Sequence, residues 1–160
     1  MSLQDIIQIV MGYLGTLGFN ILFNLRGRKL WLASFGGFIS WFVVLFLEKW
    51  VPSEMIRYFM GSAAGAVYGE VLARIAKTPT TTFLVPSVIP LIPGSALYYT
   101  MNYALNKQWV QFGHQAIYTL KLAGALAVGI IAVTTLARLL TVLVKFLKKQ
   151  SPHRHFHHSI

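Results

Sequence analysis

The stretch LWLASFGGFISWFVVLFL, from Leu30 to Leu47, contains no charged residue. Wound as a helix it is about 27 Å long, close to the ~30 Å of a bilayer's hydrocarbon core. Four further apolar stretches of crossing length accompany it, giving spans of about 3–23, 30–47, 55–76, 82–105 and 116–146. The whole chain is 56% hydrophobic and only 11% charged, where a soluble domain is about a quarter charged. The expectation is an all-α, polytopic membrane protein with five transmembrane helices in residues 1–149. Residues 150–160 would form a basic, His-rich cytoplasmic tail.

The net charge of +10 does not point to nucleic acid, because the basic residues gather at the ends of apolar segments. Arg26, Arg28, Lys29, Arg74, Lys77, Lys145, Lys148, Lys149 and Arg154 fall on one side of a five-crossing chain. Lys49, Arg57, Lys107 and Lys121 fall on the other. The positive-inside rule then puts the N-terminus outside and the C-terminus in the cytoplasm. The first span carries Asp5 and lacks a basic start, so it does not read as a cleavable signal. Without cysteine, disulfides and thiolate metal sites or nucleophiles are excluded. No His, Asp or Glu cluster with metal spacing lies in the spans, and no nucleophile–base pair is recognisable. Neither an enzyme nor a cofactor is expected.

The fourth span is interrupted: FLVPSVIPLIPGSALYY holds Pro86, Pro90, Pro93 and Gly94. Each interior proline removes a donor and disturbs the bond to the carbonyl four residues back, here those of Thr82, Pro86 and Ile89. Gly94 can take a turn other residues resist, and Ser95 can cap a restarting helix. A break at Pro93-Gly94 would fall near the centre of the span. Discontinuous helices of this kind line substrate sites in transporters, with half-helix ends meeting anions and cations. Pro90, Pro93, Gly94 and Ser95 are therefore candidate substrate-binding positions.

Gly61, Gly65 and Gly69 on the third span make a small-residue face for close helix packing. Glu70 is the only acid well inside an apolar span, about 10 Å from Lys77. It is a candidate for proton or substrate coupling; the plainer alternative is a local pair with Arg74, four residues on. Arg138 lies seven residues before Lys145 and so shares that depth. It either binds a substrate carboxylate or marks the membrane's edge, beyond which the helix projects as a basic extension. Thr78, Thr80, Thr81 and Thr82 suit a polar inner loop. HRHFHH, His153 to His158, reads as tail rather than metal site.

TPTTTFLVPSVIPLIPGSALYYTM, placed after a glycine-rich span with a basic end, resembles the C-terminal half of the bacterial threonine/serine exporter family. It is similar in particular to the small subunit of the split, two-component form. The resemblance implies a ten-span inner-membrane transporter assembled from this chain and a larger partner subunit. It implies export of small hydroxy amino acids or dicarboxylates driven by the proton-motive force, and carries over Pro86, Pro90, Pro93 and Gly94 as motif positions. The alternative is a structural membrane subunit that scaffolds a partner without touching substrate.

Overall fold

In the computed structural model, which describes residues 3–150 (side chains through 146), six α-helices carry the chain and no strand occurs among the described residues. They are α1 (Leu3–Leu22), α2 (Arg28–Leu47), α3 (Glu54–Ile75), α4 (Thr81–Val88), α5 (Gly94–Leu105) and α6 (Trp109–Gln150). A short 3-10 turn, Ile89–Leu91, joins α4 to α5. The basic tail expected from the sequence lies outside the described residues.

Helices α1, α2 and α6 are each long and apolar enough to cross a membrane. Helices α4 and α5 together make a fourth such unit, bent by 57°. Helix α3 falls short of that measure, because glycines and alanines replace larger apolar side chains and Glu54, Arg57, Glu70 and Arg74 all lie on it. It is nonetheless the hub, packed against α2, α4 and α6, with α1 on α2 and α5 on α6.

Small residues make that hub possible. A Cβ on Gly61 would stand 2.6 Å from a Val44 methyl, and one on Gly69 would stand 3.0 Å from the Leu84 backbone. Gly65 packs against Ser40 of α2 and Ser87 of α4. Where lipid is as apolar as leucine, such close approach holds helices together better than greasy side chains would. The buried serines satisfy themselves on their own helices: Ser34 donates to the Leu30 carbonyl at 2.8 Å, and Ser87 to that of Phe83 at 2.7 Å. Apolar side chains point mostly outward, and among the described residues two small clusters are buried, Ala33–Ala73–Phe83 and Val44–Leu91–Leu126.

The last helix corrects the expected boundaries. The polar stretch NKQWVQFGHQ reads as a loop, yet α6 begins at Trp109 and leaves only a tight turn after α5. Gly113 does not interrupt it, and the exposed Gln111 and His114 need no buried partner. With 42 residues, α6 is about 63 Å long, twice the hydrocarbon thickness.

Candidate functional site

Helix α3 runs parallel to α6, as contacts at both ends show. Tyr118 donates to Glu54 at one end; Arg74 donates to the Ala137 carbonyl at the other. Between their C-terminal halves and the start of α4 opens a cleft of about 720 Å³. Glu70, Arg74 and Lys77 line it from α3 and its end, Thr78, Thr80 and Thr81 from the following turn, and Thr134, Arg138 and Thr141 from α6.

Helical spacing explains the convergence. Residues at i, i+3, i+4 and i+7 share one face, and Glu70, Ala73, Arg74 and Lys77 are such a set. Thr134 and Thr141 flank Arg138 at four residues before and three after, so they share its face. That pattern was available to find Lys77, Thr134 and Thr141, which the sequence reading did not single out for the site.

The two candidate charges, Glu70 and Arg138, thus line one cleft. Glu70 pairs with Arg74 at 3.7 Å, its side chain 15% exposed. Arg74 also donates at 3.0 Å to the Ala137 carbonyl and at 3.0 Å to the Thr141 hydroxyl, which ties α3 to α6. Lys77 and Arg138 have no ion-pair or hydrogen-bond partner among the described residues. The Thr78 hydroxyl oxygen is buried and also lacks a partner among them.

Lys77 has a second peculiarity: its φ is +50°, the left-handed region that a side chain with a Cβ resists. It follows the helix end at Ala76, and the Thr78 amide reaches back to the Ala73 carbonyl at 3.0 Å, which is the Schellman closure. Glycine is the usual occupant of that position; here a lysine stands at the lip of the cleft.

The other candidates lie elsewhere. The break does fall before Gly94, but Pro90, Pro93, Gly94 and Ser95 do not line the cleft with Glu70 and Arg138. Pro90 borders a smaller groove of about 370 Å³ against α1, shared with Gly12, Thr16, Phe19 and Trp41. Pro93 is buried, whereas Gly94 and Ser95 are exposed, and nothing lies within 4 Å of a Cβ built on Gly94.

Two expectations about this stretch are corrected. Ser95 does not cap α5: the cap residue is Pro93, without a side-chain hydrogen bond, and Ser95 is one residue inside the helix. Nor does the break leave the carbonyls of Pro86 and Ile89 unpaired. The Ile89 amide takes the first and the Ile92 amide the second, at 3.1 Å. Each proline removed a donor four residues on, and 3-10 bonding supplied one three residues on. Pro93, at φ −75° and ψ 64°, then forms an inverse γ-turn, closed by the Gly94 amide on the Ile92 carbonyl at 2.7 Å. Gly94 itself has no left-handed φ; the only glycine that does, among the described residues, is Gly27 at +62°.

An apolar helical bundle with a charged, hydroxyl-lined cleft has the architecture of a membrane transporter. The chain belongs to the threonine/serine exporter family: the model described as "Threonine/Serine exporter, ThrE" matches residues 8–136. No curated protein and no solved structure matches it.

Proposed function

We propose that this chain is one half of a secondary transporter that exports small carboxylate-bearing solutes, threonine and serine foremost, through the cleft between α3, α4 and α6. One observation carries the reading: Lys77 and Arg138, without partners among the described residues, share a hydroxyl-lined cleft with the acid Glu70. A guanidinium matches a carboxylate's geometry, and an unpartnered cation at membrane depth calls for an anion. Glu70 answers the ammonium group of an amino acid and exchanges the coupling proton. The threonine hydroxyls of the cleft suit a hydroxylated side chain.

Because the cleft opens beside Lys77, at the basic end of the bundle, the positive-inside rule makes its mouth cytoplasmic. Solute therefore enters from the side an exporter must load from. In the same arrangement α3 is the third of five crossings, the N-terminus lies outside, and the membrane is the bacterial cytoplasmic membrane. The larger partner subunit covers the outward faces of α1 and α5.

A second substrate class is favoured by the charge balance. With Arg74 engaged by Glu70, Lys77 and Arg138 supply two cations, which suits a dicarboxylate. Efflux of radiolabelled threonine, serine and succinate from cells carrying chain and partner separates the two. Glu70→Gln is expected to abolish proton-coupled export while leaving the complex assembled. Unchanged pH-dependent export by that variant rejects the coupling role.

A further inference from the structure

Helix α3 has one side left open. Its glycine face meets α2 and α4, and its Ser62 side meets α6, but no described element covers the remaining face. Met60, Ala64, Val67, Val71 and Arg74 succeed one another there at alternating steps of four and three, the 3.5-residue repeat of a helix-packing seam. Met60, Val67 and Val71 are about half exposed. Beside them α6 contributes Val133, Leu136, Ala137 and Leu140, and the two helices bound a groove of about 230 Å³.

This groove lies behind the cleft. Glu70 and Arg74 line both, so the ion pair is a partition between a hydroxyl-lined side and an apolar one. The groove is smaller than the roughly 300–1,000 Å³ of small-molecule sites, and it suits the ridge of a packed helix. Hydrocarbon is a poor neighbour for it, because lipid offers an ionised pair no hydrogen bond. Arg74 engages Glu70, the Ala137 carbonyl and Thr141 through Nη2 alone. Its side chain is 54% exposed, and Nε and Nη1 have no partner among the described residues.

Charge tells what kind of helix fits. Leu25 packs on the Ala33–Ala73–Phe83 cluster, so the loop cations Arg26, Arg28 and Lys29 share this end of the bundle with Lys77 and Arg138. Glu70 is the one acid near them, since Asp5, Glu48 and Glu54 belong to the opposite end. A second copy in the same orientation would set like charges together, and groove against groove fills neither.

We propose that the α3–α6 groove receives a transmembrane helix of another polypeptide, which packs an apolar ridge between Val67, Val71 and Leu136 and sets an Asp or Glu against Arg74. The incoming carboxylate accepts a charge-assisted bond from Nη1 or Nε, while Nη2 keeps α3 tied to α6. This face is separate from those of α1 and α5, and the docking stands whether or not the cleft carries solute.

A benzophenone-bearing amino acid replaces Ile75, which is exposed beside the groove one turn beyond Val71. Membranes of cells carrying this full chain are irradiated and the adduct is mapped. The expected product is a transmembrane segment with an Asp or Glu within a turn of the crosslink. Arg74→Glu lowers the adduct yield about tenfold, and substituting Lys for the mapped acid restores it. Because Arg74 also holds α6, Leu136→Trp gives an independent reading. It fills the groove, touches no polar contact, and lowers the yield as far at an unchanged amount of chain in the membrane. Adducts with phospholipid alone, with a second copy alone, or with a segment lacking an acid overturn the proposal, as does full yield from Leu136→Trp. The expected adduct, in membranes showing no threonine, serine or dicarboxylate efflux, would keep the docking site and discard the transport reading.

Discussion

The cleft and the helix break are both departures from a plain apolar rod, and they treat their polar groups in opposite ways. At the break, 3-10 bonds take up the carbonyls that Pro90 and Pro93 would have stranded, and an inverse γ-turn takes that of Ile92. In the cleft, Glu70, Arg74 and Thr141 satisfy one another, but Lys77, Arg138 and the Thr78 hydroxyl are left over. Irregular backbone does not by itself leave polar groups unpaired. Of the three left over in the cleft, the Thr78 hydroxyl is buried and Lys77 and Arg138 are exposed, which is the basis for proposing the cleft as the place where solute is met.

Four substitutions sharpen that contrast. Arg138→Gln carries the largest effect: export falls about a hundredfold, the loss of charge-assisted bonds to a carboxylate, with the amount of protein in the membrane unchanged. A fall of less than about threefold would move the anion site out of the cleft. Gly65→Ala forces a methyl between Ser40 and Ser87, and overpacking of this kind costs about 1–3 kcal/mol. Thermal unfolding in detergent should drop accordingly; an unshifted midpoint would mean the α2–α3–α4 junction is looser than described.

Lys77→Gly separates stability from function. Relief of the left-handed strain stabilises the chain by about 1 kcal/mol, while loss of the cation lowers export severalfold. Export that rises with stability would make Lys77 a mere helix terminator. Gly94→Ala has the smallest effect, since the added methyl meets open space and no positive φ is required. Stability should stay within about 0.5 kcal/mol and export within twofold. A large loss of export at normal stability would return the break to the solute's path.

What the sequence reveals of this molecule follows from what helices make regular. Rise per residue is fixed, so Glu70 and Arg138 can be set at one height along the bundle, and both line one cleft. Small-residue spacing is equally regular, and Gly61, Gly65 and Gly69 could be placed on one face before their neighbours Val44, Ser40 and Leu84 were known. Direction around the bundle is not encoded that way. Nothing in VIPLIPG tells which side of α4 turns toward α3, so the break and the charges were assigned to one site although they lie apart. The 3-10 repair was hidden because it uses the amides of Ile89 and Ile92, residues that look like plain apolar filler. The αL lysine was hidden because nothing in its sequence context announces it. Helix α3 was legible as an element, but its low apolarity leaves its crossing a matter for the proposed topology.

The central claim is that solute meets the cleft and not the break. Single cysteines at Thr134 and at Ser95, each in the otherwise cysteine-free chain with the proposed partner, can be reacted with a water-soluble thiol reagent in the presence and absence of saturating threonine or succinate. The account predicts that solute slows labelling of Thr134→Cys and leaves Ser95→Cys unaffected. Protection at Ser95→Cys with none at Thr134→Cys would contradict it.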